Sequence, residues 1–332
     1  MRCPNCRHPV TETARFCEQC GVPLAKDVTA MHQKALDLYH RGAIDEALEL
    51  WRESTKQNPK FSKGFYYQGL ALYDRGDLVG AINALKLALE FEEEPFRVYF
   101  KLGLAEYGLG DLSASIRNFK LALELNPESA ETHYRLGLAY LRSSNLDAAR
   151  MALEKAININ PGYTRALHIL GMTLAQQGEV EAAVETFRKI TEISPGFSAA
   201  RFELGMALFK RGELEMAAEQ FRQATLGEKR FAPGLFMLGE VSRKLGKFSE
   251  AISAYSEVLS INPRDSEAWL RMAESNIQLD LLDAARENLR QALEVNPDNQ
   301  EADYMLRHLG EMNTPHKSGV DAEKTTKEKD ES

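Results

Sequence analysis

Apolar residues along this chain fall in short stripes at helical spacing, broken by turn residues at regular intervals. Over 130–163, Leu136, Gly137 and Tyr140 mark one stripe, and Ala149, Leu153 and Ala156 mark a second at spacings of four and three. Such spacings place side chains on one face of a helix, so each segment predicts a pair of amphipathic helices. The turn between paired stripes holds Gly42, Gly76, Gly110, Gly178, Gly212 or Gly246, with Ser144 and Asp280 in the remaining two. The pattern then repeats every 34 residues. Small residues recur at Ala35, Gly69, Gly103, Gly137, Gly171, Gly205, Gly239 and Ala273, and again at Ala47, Ala81, Ser115, Ala149, Ala183, Ala217, Ala251 and Ala285. A large residue recurs at Trp51, Leu85, Phe119, Leu153, Phe187, Phe221, Tyr255 and Leu289. Pro closes most second stripes (Pro59, Pro127, Pro161, Pro195, Pro263, Pro297), because it lacks an N–H and biases its predecessor away from the helical region. Glu93 and Lys229 occupy that place in two units, where Pro95 and Pro233 follow a few residues later and the break reads as displaced. Glycine inside a helix costs about 1 kcal/mol relative to alanine, so six of them point to helices that approach too closely for a larger side chain.

A 34-residue period with small, small, large and Pro at these offsets resembles the tetratricopeptide repeat (TPR) family. The resemblance implies an all-α, right-handed superhelical solenoid of eight helix-turn-helix units over 28–299, each burying its apolar face against its neighbours. Ala302, Met305, Leu306 and Leu309 continue one stripe over 300–312, as expected of a capping helix. Residues 313–332 are polar and apolar-poor, the composition of a disordered tail.

Charge narrows the choice of partners. The chain carries a net −8, with +1 on residues 1–27 and −1 on 313–332, so the repeats carry the acidity. Such a solenoid is a poor general binder of nucleic acid, where phosphate neutralisation dominates affinity. No apolar run approaches membrane-span length, and no secretory apolar core opens the chain, so a cytoplasmic protein is expected.

All four cysteines, Cys3, Cys6, Cys17 and Cys20, lie within residues 1–23, joined to the first repeat by the linker 24–27. Two C-x2-C pairs ten residues apart form two knuckles whose thiolates can close a tetrahedron around one structural Zn2+. Gly21 lets the second knuckle turn, whereas the first has Arg7 at the matching place. The segment resembles short bacterial zinc ribbons. Without a secretory signal the thiols stay reduced, which favours metal over disulfides.

No nucleophile motif, phosphate-binding loop or dinucleotide fingerprint is present, so no enzyme activity is expected. A protein–protein interaction scaffold is expected instead. In the family, the first helix of each unit lines a concave groove. Counting each unit from its first residue, positions 4, 7, 8 and 11 are read as core, and 2, 5, 6, 9, 12 and 13 as the adjacent stripe. Over 62–197 that stripe holds Tyr66, Tyr67, Tyr73, Phe100, Tyr107 and Tyr134, with Lys63, Arg97, Lys101, Arg135, Arg142 and Arg165 against Asp74 and Glu131. A basic, aromatic groove points to a partner segment with acidic and apolar residues. Family members that clamp a chaperone tail use Lys and Asn at positions 5 and 9, where this chain has aromatics and leucines. The alternative is a nucleic-acid-associated regulator acting through the ribbon, which offers Arg2, Arg7, Arg15 and Lys26 with Phe16.

Overall fold

Among the described residues there are seventeen α-helices and no strand, and successive helices pack together over 28–159 and again over 180–308. The computed structural model describes residues 5–9, 11, 16–21, 27–92, 95–227 and 231–309. Cys3, most of the linker, Glu93, Lys229, residues 310–312 and the tail read as disordered lie outside them. The chain divides into two compact units, 1–173 and 174–332. Unit 1 holds α1 (Val28–His40), α2 (Ile44–Gln57), α3 (Ser62–Asp74), α4 (Leu78–Leu89), α5 (Phe96–Leu109), α6 (Leu112–Leu125), α7 (Ala130–Arg142), α8 (Leu146–Ile159) and most of α9 (Thr164–Gln177). Unit 2 holds α10 (Val180–Ile193), α11 (Ser198–Arg211), α12 (Leu214–Gly227), α13 (Ala232–Lys244), α14 (Phe248–Ile261), α15 (Ser266–Gln278), α16 (Leu282–Val295) and α17 (Gln300–His308).

Three of the sequence rulers meet inside the helix pairs that lie within one unit. The second small position, from Ala47 to Ala285, is fully buried in all eight pairs, and the large position is buried in all eight. Gly69, Gly103, Gly137, Gly205 and Gly239 face that large residue. A Cβ on Gly103 would lie 2.7 Å from the Phe119 ring, and one on Gly239 would lie 2.6 Å from the Tyr255 ring. The contact requires glycine, which accounts for its propensity cost. Ser115 is the one polar member of the alanine ruler, and its Oγ donates to the Gly103 carbonyl at 2.8 Å, so its burial is satisfied.

The turn glycines adopt the left-handed conformation, and so do the two exceptions, Ser144 (φ 61°) and Asp280 (φ 60°). Pro95 caps the start of α5, and Pro233 lies in the first turn of α13, where its missing N–H costs no helical bond. Helix α17 buries Ala302, Met305 and Leu309 against the last repeat pair, with Leu306 partly buried beside them.

Burial differs from the sequence reading at two places in the register. Positions 3 and 10 are buried in every first helix from α3 onward, from Gly64 with Ala71 to Ala302 with Leu309. At position 4, by contrast, Phe65, Tyr99, His133, Arg201 and Trp269 are only half-buried. The first helix of a pair packs on two neighbours, its own second helix and the second helix before it, and positions 3 and 10 face the latter. In α1, with no repeat helix before it, the same positions are Ala30 and Asp37, both exposed. One acidic residue lies among the buried ones. Glu106 is 4% exposed on α5 and accepts a 2.6 Å bond from Asn118 Nδ2 on α6. Burial pushes its carboxyl up, against the hydrogen bond from Asn118.

Candidate functional site

Two groups of side chains offer chemistry. The first is the cysteine cluster. The sulfurs of Cys6, Cys17 and Cys20 lie within 4.8 Å of one another, and Cys6 Sγ is 3.4 Å from Cys17 Sγ. Four thiolates bound tetrahedrally to zinc at about 2.3 Å have their sulfurs about 3.8 Å apart, so this spacing fits a shared metal ion. Cys17 is buried, and its carbonyl accepts from the Gly21 N–H at 2.8 Å, closing the second knuckle. Gly21 has φ 69° and Arg7 has φ 60°, so both knuckles end in the same left-handed turn, although Arg7 carries a side chain there. Cys3 falls outside the described residues.

The second group is the stripe on α3, α5, α7 and the first half of α9, all in unit 1. Lys63, Arg97, Arg142 and Arg165 are exposed. Tyr66, Tyr67, Tyr73, Phe100, Lys101, Tyr107 and Arg135 are half-buried, and Tyr134 is buried. The rings therefore share their surface between solvent and the repeat interior. Tyr66 meets Tyr67 edge-on at 5.3 Å, and Tyr67 stacks on Trp51 at 5.9 Å. Phe100 contacts Phe119 at 5.9 Å, and Tyr134 contacts Tyr163 at 5.1 Å.

The cations are distributed over these rings. Arg142 sits 5.1 Å from the Tyr107 ring and donates to the Tyr107 carbonyl at 2.7 Å. Arg135 and Arg165 lie 5.6 and 6.0 Å from the Tyr134 ring, within cation–π range. The two acids of the stripe are engaged. Asp74 accepts from the Tyr39 hydroxyl, whose pKa is raised by burial and by that carboxylate. Glu131 pairs with Arg135 at 2.6 Å and accepts from the Tyr163 hydroxyl. Burial pushes Glu131 up, but those two donors outweigh it and hold its carboxyl below the usual range. Lys63, Arg97 and Lys101 make no ion pair among the described residues, so the stripe keeps its positive excess.

At the edge of the stripe, Trp51 donates its indole N–H to His32 Nδ1 at 3.0 Å, and Phe61 and Tyr67 flank the imidazole. Burial, and then the nearby Lys63, lower its pKa. A lowered folded pKa means that the unfolded chain binds the proton more tightly, so this contribution is complete above the unfolded value of about 6.5 and is lost as pH falls below it. Acidifying from neutral to pH 5.5 is expected to lower the urea midpoint reported by Trp51 fluorescence in a Trp269→Phe background. His32→Phe is expected to remove most of that shift. An equal shift in the His32→Phe protein would show that another group carries it.

The described residues thus form a helical repeat array preceded in the chain by a cysteine cluster that could hold a metal ion. The tetratricopeptide repeat family models match residues 32–95, 100–164 and 170–234 in one form and 140–195 and 243–309 in another. They span well over half of the chain, and the chain belongs to the tetratricopeptide repeat family. A zinc-ribbon domain model matches residues 2–24. No curated protein matches the chain.

Among solved structures, MamA is similar at 25% identity and TM-score 0.50, covering 54% of this chain and 96% of that one. MamA from Desulfovibrio magneticus RS-1 is similar at 21% identity and TM-score 0.50, covering 52% and 98%. Pseudomonas aeruginosa pilF is similar at 18% identity and TM-score 0.52, covering 65% and 98%. The last two likenesses are of fold alone. Among the described residues, no helix is long and apolar enough to cross a membrane.

Proposed function

We propose that this protein is a non-catalytic interaction scaffold whose unit 1 stripe binds an extended or helical segment of a partner rich in acidic and apolar residues. The observation that carries this reading is the unneutralised positive charge beside the rings: Lys63, Arg97 and Lys101 make no ion pair among the described residues, and Arg142 and Arg165 lie over the half-buried Tyr107 and the buried Tyr134. Rings give a ligand apolar contact at low entropic cost, and the cations select its charge. The ribbon is proposed to hold one structural zinc through Cys3, Cys6, Cys17 and Cys20, in a bacterial cytoplasm where its thiols stay reduced.

The cations test this reading more cleanly than the rings do, because they contribute least to packing. The triple charge reversal Lys63→Glu, Arg97→Glu and Lys101→Glu is expected to leave the helical circular-dichroism signal unchanged. Affinity for a short fluorescein-labelled peptide alternating Glu with Leu and Phe should fall about a hundredfold, equivalent to roughly 2.7 kcal/mol. A peptide alternating Lys with Leu and Phe serves as the control. Equal binding of the acidic peptide by both proteins would overturn the assignment of the stripe.

A further inference from the structure

Unit 2 differs in chemistry from the stripe. At position 9 of the register, unit 1 presents Leu70, Leu104 and Leu138, whereas α13 and α15 present Glu240 and Glu274. These acids belong to a connected chain of bonds. The Tyr255 hydroxyl donates to Glu240 Oε1 at 2.6 Å, and Arg243 Nη2 donates to Glu240 Oε2 at 3.2 Å. Arg243 Nη1 then reaches Glu274 Oε2 at 3.4 Å, and Arg271 Nη1 holds Glu274 Oε1 at 2.7 Å. Arg271 in turn meets Glu267 at 2.7 Å and Glu301 of α17 at 3.7 Å.

Beside this chain lies a cavity of about 540 Å³, lined by Arg243, Phe248, Glu274, Ile277, Gln278 and Met305. That volume is within the range of sites that enclose a small molecule, roughly 300–1,000 Å³. Its wall is apolar at Phe248, Ile277 and Met305, and it opens past the exposed Gln278. Two polar atoms of its lining lack a hydrogen-bond partner although both are buried: Arg243 Nε, a donor, and Glu274 Oε2, an acceptor. The contact between Arg243 and Glu274 is long, while each side chain is anchored from behind by a shorter bond to Glu240 or Arg271. The Arg243 side chain is 29% and the Glu274 side chain 18% exposed.

An unsatisfied buried atom carries a desolvation cost that a ligand recovers by bonding to it. One unsatisfied donor and one unsatisfied acceptor in the same lining call for a group that offers both. A carboxylate would meet Arg243 but face Glu274. An ammonium would meet Glu274 but leave Arg243 Nε without an acceptor. A neutral carboxamide satisfies the pair, its oxygen accepting from Arg243 Nε–H and its NH2 donating to Glu274. We propose that this cavity is a second peptide-binding site, independent of the unit 1 stripe, that takes an Asn or Gln side chain flanked by apolar residues.

The test uses the full chain labelled with 15N-arginine, in which each Arg Nε–H gives its own NMR signal. Arg243→Lys, which keeps the charge and removes Nε, assigns the resonance. Titration with N-acetyl-Leu-Gln-Leu-N-methylamide, whose one primary carboxamide is the Gln side chain, is expected to move the Arg243 signal saturably. N-acetyl-Leu-Glu-Leu-N-methylamide and N-acetyl-Leu-Lys-Leu-N-methylamide should bind at least tenfold more weakly. Gln278→Trp, an exposed rim change that leaves the core untouched, should weaken the glutamine peptide at least tenfold. No saturable shift with the glutamine peptide, or equal binding of all three peptides, overturns the proposal.

Discussion

Replacing Cys17 with Ser is expected to strip the metal from residues 1–23 and unfold that segment, while the repeat helices keep their circular-dichroism signal. The segment is too short to bury much of a core, and the binding free energy of a structural zinc is then its folding free energy, on the order of 10–16 kcal/mol at neutral pH. Cys17 is the buried member of the cluster, with its sulfur 3.4 Å from that of Cys6 and its carbonyl closing the second knuckle. A serine oxygen is a poor substitute for a soft thiolate. Elemental analysis of protein purified without added metal is expected to give one zinc per wild-type chain and none in the variant. Ligands must be deprotonated to bind, so the wild-type chain should also release its metal as pH falls. Iron in place of zinc, or full metal content in the variant, would contradict the assignment. Loss of the repeat signal in the variant would show that the ribbon supports the helices, against the nearest-neighbour stability expected of a repeat array.

The sequence pattern was most informative where a single steric rule acts once per repeat. The glycine and alanine rulers fall at the contact inside each helix pair, where a Cβ on Gly69, Gly103, Gly137, Gly205 or Gly239 would overlap the large residue 16 positions later. Positions 3 and 10 were not read from the sequence because they admit several small residues: Gly64, Val98, Thr132 and Ala166 all fill the same seam between neighbouring pairs. A seam that accepts Gly, Ala, Val and Thr leaves no single-residue ruler, although its two-helix geometry is as regular. The seam becomes visible by contrast at α1, where Asp37 stands at the position that Ala71, Ala105 and Ala139 bury later.

The candidate stripe was legible as a set of residue types on one helical face. The division of its rings between groove and interior was not, because that depends on the loop residue that follows each second helix. Tyr163, Phe231 and Phe61 occupy this loop place and contact Tyr134, Phe202 and His32. The Arg243–Glu274 cavity was equally hidden. Its two unsatisfied atoms result from the order in which neighbouring arginines and glutamates pair, which sequence spacing does not determine.

The division of the rings leads to a paired prediction at one register position. Tyr134 and Tyr304 both stand at position 5, on α7 and α17, but their surroundings differ. Tyr134 is 8% exposed, packed on Tyr163 and covered by Arg135 and Arg165. Tyr304 is 58% exposed and touches His308 of its own helix, at a ring separation of 4.4 Å. Helix α7 packs on α6 and α8, whereas α17 packs on α16, so the two sites differ in burial and in the number of helices around them. Tyr134→Ala removes a large buried ring that its neighbours only partly collapse around, and should destabilise the protein by about 3–5 kcal/mol. Tyr304→Ala should cost less than about 0.5 kcal/mol, as expected of a surface substitution. Urea unfolding followed by circular dichroism compares the two. Within unit 1 the same comparison separates packing from recognition: if Tyr134→Ala leaves stability unchanged but weakens the acidic peptide, the ring belongs to the groove. If it lowers the midpoint while the folded protein retains the peptide, the ring is core and the cations alone recognise the partner.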